Sequence, residues 1–294
     1  MKHFNFLIRL SVVVSALIFT SRFCQKKTDT FTILAISSTR PHNTLYETQI
    51  EESAELDTAL SQPYTYFGRG GQAYAFFSAD GKYVVKFFKQ RLFRPSWLLN
   101  HLPLPKILHR YRFKRNWKRS DKFARDFFSY KVASEELRDE TGILYSHLNP
   151  TTHLSKTLLI TDRLGIVHPI DLDHFDFVVQ KRAEMVYDRI DSLMEMGNQK
   201  AAKEALLQVF SLISTRAKKG YRDRDPNIRT NCGFIEDKAV KIDVGRFVKN
   251  EEMKTPERHN EELLRITAPF EEWIEIHHPY LLPAFHQYLQ ETLL

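Results

Sequence analysis

The stretch that decides the fold is PYTYFGRGGQAYAFFSADGKYVVKFFK, residues 63–89. It contains three short runs rich in aromatic and β-branched residues, at 64–67, 73–77 and 83–88. Such runs are typical of strands. Asp80 and Gly81 form a strong hairpin signal between the second and third runs. The stretch therefore predicts three antiparallel strands, with a glycine loop between the first two that contains Gly68, Gly70 and Gly71.

A lysine interrupts the third apolar run, as Val84-Val85-Lys86-Phe87-Phe88. Backbone N–H groups of a glycine loop can surround a phosphate, and a lysine on the third strand can reach the same phosphate. A buried lysine needs a partner, because burying an unpaired charge is costly. An edge-strand lysine whose ammonium reaches water is the alternative interpretation.

A helix is predicted over residues 126–147, because its apolar residues recur with helical spacing. Glu136 and Glu140 lie one turn apart on it, so either carboxylate could pair with Lys86. The other would then belong to a solvated acidic face. Strands predicted at 157–162, 166–172 and 175–181 complete a small sheet.

A second group of polar residues follows the clearest helix of the chain, predicted over 199–219 and ended by Gly220. The group contains Asp223, Asp225, Asn227 and Asn231, and two short strands at 232–235 and 239–242 lead from it to Asp243. Calcium binding of the EF-hand type is excluded, because Ile228 and Phe234 occupy the positions that need Gly and Glu.

Two interpretations of this group stay open. Residues of these types often form a structural turn. They also suit phosphoryl transfer, in which one Asp accepts the proton of a hydroxyl while an Asn and a later Asp hold Mg²⁺. Magnesium fits such a set, because it takes few hard oxygen ligands and keeps several waters.

The order of these parts resembles that of the protein-kinase-like fold, from about residue 64 to residue 247. Gly68-x-Gly70-x-x-Ala73 resembles the glycine loop of that fold, and Lys86 resembles its strand lysine. Glu140-x-x-Ile143 resembles the segment with its helix glutamate. Asp225…Asn231 resembles its catalytic loop, and Asp243-Val244-Gly245 resembles its metal-binding motif. The resemblance implies an α+β fold with two lobes, a small antiparallel sheet and a short helical lobe.

The resemblance also implies ATP and Mg²⁺ as cofactors and a hydroxyl of a small molecule, glycan, lipid or protein as acceptor. The nucleotide would bind to Gly68, Gly70, Gly71 and Lys86, with Lys86 paired to Glu140 or, as the second choice, Glu136. Asp225, preferred over Asp223, would orient the hydroxyl, and Asn231 and Asp243 would hold Mg²⁺.

The departures from the kinase pattern define the alternatives. Ala73 replaces the third glycine, the offset from Asp225 to Asn231 is six residues, and the usual histidine of the catalytic loop is absent. Only 49 residues follow Gly245, as in the aminoglycoside, sugar and lipopolysaccharide kinases. The alternatives are an inactive pseudokinase that binds a partner, and a membrane-associated binding protein of unrelated α+β fold.

The positive charge of the chain is concentrated in one segment. The chain contains 43 Lys and Arg against 36 Asp and Glu, for a net charge of +7. Residues 89–125, the basic segment, hold twelve Lys and Arg but one acidic residue, Asp121, so the rest of the chain has a net charge of −4. Aromatic residues lie between these basic residues. This pattern favours an anionic membrane surface over nucleic acid; an acidic protein partner or a solvated insertion also stays open.

The N-terminus predicts membrane association or export. Residues 10–21 form an uncharged apolar run within a segment, 1–27, that suits a cleaved signal peptide or a retained anchor. Positive charges flank both ends, so the side of the membrane stays open. We predict a linker or N-terminal extension at 28–62 and a kinase-like domain at 63–294, whose lobes comprise 63–182 and 183–294. Two helices are expected in 256–294.

Overall fold

The computed structural model describes residues 2–49, 53–95, 97–103 and 105–294. Residues 50–52 of the predicted linker, and residues 96 and 104 of the basic segment, lie outside the described residues. The chain divides into two compact units. Unit 1 comprises residues 1–42, 53–94 and 149–177, and unit 2 comprises residues 43–52, 95–148 and 178–294.

Runs of helices and runs of strands follow one another along the chain. The helices are α1 (Lys2–Lys27), α2 (Ile33–Ile36), α3 (Ala54–Leu60), α4 (Trp97–His101), α5 (Lys106–Glu135), α6 (Arg138–Thr141), α7 (Val186–Glu195), α8 (Gln199–Lys218), α9 (Ile228–Asn231), α10 (Pro256–His277) and α11 (Leu282–Thr292). The strands are β1 (Tyr64–Arg69), β2 (Ala73–Ser78), β3 (Tyr83–Phe88), β4 (Ile143–His147), β5 (Thr157–Thr161), β6 (Val167–Asp171), β7 (Phe177–Lys181), β8 (Glu184–Met185), β9 (Tyr221–Asp223), β10 (Cys232–Ile235), β11 (Lys238–Lys241) and β12 (Phe247–Lys249). The predicted α+β class is confirmed.

Unit 1 contains a sheet in which the strands follow the order β3-β2-β1-β5-β6. β1 pairs with β2, and β2 with β3, in antiparallel register, whereas β1 and β5 run parallel. Gly81 adopts a φ of 71° in the turn between β2 and β3, a conformation that glycine takes without a steric penalty. The predicted three-strand stretch is therefore confirmed.

Aromatic side chains form the core of unit 1 on one face of this sheet. Tyr74, Phe76 and Phe87 are fully buried. Phe31 packs against Tyr74 and Phe76 with ring centroids 5.2 and 5.4 Å apart. The Tyr74 hydroxyl also donates to the carbonyl of Thr30 at 2.7 Å. Part of segment 28–62 is thus packed into unit 1.

Helices α7, α8, α10 and α11 form the core of unit 2, because each contributes buried apolar side chains to one cluster. The predicted helix at 199–219 and the two predicted helices of the tail are confirmed. β10 and β11 form an antiparallel hairpin to which β8 adds a third strand, and β12 pairs with β9. β4 and β7 are neighbouring strands.

The helix predicted over 126–147 is wrong in its second half. α5 ends at Glu135, the four-residue helix α6 follows, and β4 starts at Ile143. Gly142 ends α6 with a φ of 63°, and a Cβ atom there would lie 2.3 Å from Ile235 Cδ1. A β-rich run, Ile143-Leu144-Tyr145, follows this left-handed turn. The glycine ends α6 and lets β4 begin, which the apolar spacing alone did not reveal.

Much of the basic segment is helical, because α5 starts at Lys106 and continues beyond Arg125. At the other end of the chain, α1 extends over most of the predicted signal or anchor segment. None of the helices in the described ranges combines the length and the apolar character that crossing a membrane requires.

Candidate functional site

Three residues in register form an open face on the sheet of unit 1. Gly68 on β1 is opposite Ala75 on β2, and Ala75 is opposite Lys86 on β3. Directly opposite residues of antiparallel strands point to the same face. A Cβ atom at Gly68 would meet nothing within 4 Å, and Lys86 is half-buried. The lysine therefore shares its face with two small residues that leave room for a flat ligand.

A second lysine, which the sequence did not single out, holds the glycine loop. The Lys89 ammonium donates to the carbonyl of Gly70 and lies 4.8 Å from the centroid of the Tyr74 ring. Burial, reinforced by nearby arginines, lowers the pKa of Lys89 to about 8. Because Lys89 follows Lys86 by three residues, the strand alternation directs it to the Tyr74 face. Lys89 therefore supports the loop from the core side.

In unit 2, a buried carboxylate anchors the polar loop after α8. Asp223 is 1% exposed, and its carboxylate contacts the Arg216 guanidinium at 3.3 Å and the Lys241 ammonium at 2.6 Å. Its Oδ1 atom also accepts from the Asp225 backbone N–H at 2.8 Å. Arg216 in turn contacts Glu262 at 3.2 Å. Asp223 is thus surrounded by donors from within the unit, which suits a structural role.

Asp225 has the opposite environment, because its side chain is exposed. Its backbone carbonyl accepts from Lys241 Nζ at 2.6 Å and from Asn231 Nδ2 at 3.0 Å. These two hydrogen bonds fix the backbone of Asp225 while its carboxylate faces solvent. The preference for Asp225 over Asp223 as the hydroxyl-orienting residue stays a prediction.

Asn231 is buried and joins the loop to the residues before Asp243. Its amide nitrogen is committed to the Asp225 carbonyl, and its backbone carbonyl accepts from the Ile242 N–H at 2.8 Å. Asp243 therefore directly follows a residue that is bonded to Asn231. The Asn231 Oδ1 atom, which accepts from the Thr230 hydroxyl at 3.0 Å, keeps a second lone pair for another partner.

Hydrogen bonds from α5 stabilise the turn at Asp243. The Ser129 hydroxyl donates to the carbonyl of Val244 and accepts from the Phe247 N–H at 2.7 Å. Burial raises the pKa of Tyr130 well above its usual value, and the negative charge of Asp243 adds to the effect. Asp243 itself is exposed. Sequence reasoning missed Ser129 and Tyr130, since nothing in a helix sequence reveals which loop it will support.

Glu140 is placed next to a different lysine from the one predicted. It lies on α6, is buried, and contacts Lys219 Nζ at 2.8 and 3.0 Å. Lys219 Nζ also donates to the backbone carbonyl of Glu136 at 2.9 Å. Glu140 and Lys86 belong to different units, so their pairing stays a prediction.

A small cavity in unit 2 separates Glu140 from the Asp223 network. It is lined by Glu140, Arg216, Asp223, Lys241 and apolar residues such as Leu212. The space that the centre of a water molecule can occupy in it is about 20 Å³, which is enough for one water molecule. Within the described ranges, the buried Nε atom of Arg216 has no hydrogen-bond partner. One ordered water would therefore satisfy this atom.

The residues of the loop fit magnesium better than a structural metal. In the part of the chain that the structure describes, no group of three or more His, Cys, Asp or Glu side chains could hold a metal ion. Mg²⁺ needs fewer protein ligands than such a group supplies, because its sites often contain only one or two carboxylates. Water and substrate phosphate complete the coordination shell. Asp243 offers an exposed carboxylate and Asn231 an oriented amide oxygen.

Solved structures with limited similarity include two of the bifunctional kinase-methyltransferase WbdD. One has a TM-score of 0.33 and 13% identity over 74% of this chain and 43% of that chain. The other, a co-crystal with the kinase inhibitor LY294002, has a TM-score of 0.31 and 13% identity over 76% and 45%. This chain therefore spans less than half the length of WbdD.

A third similar structure is the complex of Rv3197 with erythromycin, from Mycobacterium tuberculosis. It has a TM-score of 0.33 and 10% identity over 83% of this chain and 71% of that chain. No family model and no curated protein matches the chain. The functional assignment therefore depends on the geometry described above.

The two aspartates of the loop should respond differently to loss of charge. We expect Asp223→Asn to lower the free energy of unfolding by about 3–5 kcal/mol, because it leaves Arg216 and Lys241 buried without their shared counter-charge. Asp225→Asn, at an exposed side chain, should change it by less than about 0.5 kcal/mol. Urea denaturation of the two variants measures both values. Equal destabilisation would contradict the separation of their roles.

Proposed function

We propose that this protein is an atypical kinase of the protein-kinase-like fold, which transfers a phosphoryl group from ATP to a hydroxyl with Mg²⁺ as cofactor. One observation carries the proposal: Asn231 bonds both the carbonyl of Asp225 and the residue before Asp243. This arrangement groups an exposed carboxylate, an oriented amide oxygen and a second exposed carboxylate. Phosphoryl transfer uses such a set for one proton and one metal ion.

Unit 1 supports the nucleotide side of the proposal. The row of Gly68, Ala75 and Lys86 places an ammonium beside an open strip of sheet, where it could neutralise phosphate oxygens. Gly70 and Gly71 would let the loop backbone approach those phosphates, since neither carries a side chain. Lys89, bonded to Gly70, would keep the loop in shape.

In the reaction, the exposed Asp225 carboxylate would orient the acceptor hydroxyl and take its proton as the oxygen attacks. Asn231 and Asp243 would hold Mg²⁺, whose chemistry is the neutralisation of charge on the transferred phosphoryl group. Lys241 fixes the backbone of Asp225 and screens Asp223, so Asp225 is the carboxylate left to act as base.

The acceptor is proposed to be a small molecule or a glycan or lipid head group rather than a peptide. β12 begins two residues after Gly245 and pairs at once with β9, and α10 follows shortly. This short connection has no room for a long loop that would dock a peptide beside Asp243.

A specific contact favours a second candidate, a pseudokinase that binds partners without catalysis. The Glu140 carboxylate is engaged by Lys219 within unit 2. A glutamate so engaged is less available to the nucleotide-binding lysine that an active kinase requires. The two candidates share the fold and differ in turnover.

Nucleotide binding should depend on Asp243. At a MgATP concentration one hundred times its Kd, binding adds about 2.7 kcal/mol to stability, which raises the melting temperature by several degrees. We expect Asp243→Ala to lose the Mg²⁺-dependent part of this shift, because a magnesium ligand is removed. Differential scanning fluorimetry with ATP, with and without Mg²⁺, measures it.

Asp237→Ala is the matched control for this measurement. It removes an exposed carboxylate from the turn of the neighbouring β10–β11 hairpin. Its Mg²⁺-dependent shift should equal that of the wild type. The absence of any ATP-dependent shift in the wild type would contradict the proposed nucleotide site.

Turnover should depend on Asp225. With water as acceptor, phosphate release from ATP should fall by about 10²- to 10⁴-fold in Asp225→Asn, the range expected for loss of a general base. The MgATP-dependent thermal shift should persist, because Asp225 is not a proposed metal ligand. Wild-type protein that binds MgATP without releasing phosphate or phosphorylating any hydroxyl would favour the pseudokinase. Full turnover by the variant would remove Asp225 as the base.

A further inference from the structure

The N-terminal two-thirds of α5 is an exposed helix with a dense positive charge. Residues 106–125 contain nine Lys and Arg and one acidic residue. The first fully buried side chains of the helix are those of Asp126 and Phe127, and Phe123 just before them already packs against Tyr46. At about 1.5 Å per residue, the exposed part is about 30 Å long. It is therefore a surface, independent of the proposed kinase site, that requires its own explanation.

Part of this charge has no counter-charge among the residues that the structure describes. Lys122 pairs with Asp126 at 2.5 Å, and Arg125 with Asp121 at 3.0 Å. In the described part of the chain, Arg110, Lys114 and Lys118 have no acidic partner. Burial and the like charge of Arg115 lower the pKa of Arg119. The cluster is thus electrostatically unfavourable alone and would be relieved by an anionic surface.

Large apolar side chains lie among these charges and are exposed as well. Ile107 is 83% exposed, Phe113 72% and Trp117 58%. Phe113 and Trp117 are four residues apart, one helical turn, so they form one stripe. The preceding helix α4, joined to α5 by a hydrogen bond of 2.8 Å between Asn116 and Asn100, adds Trp97 at 71% exposure.

We infer that the exposed part of α5, with α4, binds the surface of an anionic lipid bilayer. Interfacial helices bury aromatic and aliphatic side chains at the boundary between head groups and acyl chains, and their Lys and Arg residues contact the anionic head groups. The combination of unpaired positive charge with exposed Trp, Phe and Ile supplies both contributions. Either alone would give weaker binding.

A bilayer suits this surface better than nucleic acid does. Single-stranded nucleic acid stacks its bases on aromatic side chains, and its phosphates bind Lys and Arg. Neither of these contacts buries exposed aliphatic side chains. Ile107 and the exposed Leu108 and Leu102 would stay in water beside a nucleic acid, whereas a bilayer would bury them.

The test is co-sedimentation of the full chain with vesicles of phosphatidylcholine, with or without phosphatidylserine. We expect binding to the phosphatidylserine vesicles at about 0.15 M salt and much less at about 1 M salt, where charges are screened beyond about 3 Å. The emission of Trp117 should shift to the blue as it leaves water, and Trp117→Phe should reduce that shift.

Two multiple-substitution variants separate the contribution of the positive charges from that of the aromatic side chains. Neutralising Arg110, Lys114 and Lys118 to Gln should weaken partitioning into anionic vesicles on the order of 100-fold, from the loss of three charges. Phe113→Ser with Trp117→Ser should weaken it at least tenfold. All the changed side chains are exposed on α5, so melting temperatures should stay close to that of the wild type.

The matched controls change surface residues elsewhere in unit 2. Lys200 and Lys218 of α8, which are exposed, and Lys203, which is half-buried, are replaced by Gln, which removes the same number of charges. Tyr280 and Ile276, which are 79% and 67% exposed, are replaced by Ser. Both controls should bind vesicles like the wild type.

Two results would overturn the inference. Vesicle binding that is unchanged in both α5 variants would place the contact elsewhere, for example on the exposed apolar residues of α1. No binding to anionic vesicles, together with binding of single-stranded RNA that the Gln variant loses, would assign the surface to nucleic acid.

Discussion

A carboxylate buried without cations costs several kcal/mol, and Asp223 avoids this cost by contacting Arg216 at 3.3 Å and Lys241 at 2.6 Å. The same Lys241 ammonium holds the carbonyl of Asp225. This single interaction joins α8, the end of β11 and the loop between them. The exposed carboxylate of Asp225 and the orientation of Asn231 both follow from it.

The sequence predicted those parts of the molecule that depend on local signals. The β2–β3 hairpin forms at Asp80-Gly81, and α8 has a continuous apolar face, so both were predictable. The cations around Asp223 were not, because their positions depend on how α8 and β11 pack. For the same reason Glu140 could not be matched with Lys219, which is 79 residues away. Gly142 was the readable signal that helix gives way to strand before residue 147.

Each unit contains candidate site residues of its own. Unit 1 contributes a lysine beside an open strip of sheet, and unit 2 contributes the loop with Asp225, Asn231 and Asp243. One helix, α5, connects the loop to the proposed bilayer surface: its buried end holds the Asp243 turn through Ser129, and its other end is exposed and basic. On this account the helix sets the distance between the membrane and the site, which suits an acceptor at a lipid surface.

The most direct test of the nucleotide site is paramagnetic broadening of backbone amide signals by Mn²⁺, which replaces Mg²⁺ at oxygen-rich sites. With ATP present, we predict selective broadening of the amides of Asn231, Asp243 and Gly245 in unit 2. Without ATP the effect should be much weaker, because the protein alone offers Mn²⁺ few ligands. Broadening confined to other parts of the chain, or independent of ATP, would contradict a nucleotide-dependent metal site at Asn231 and Asp243.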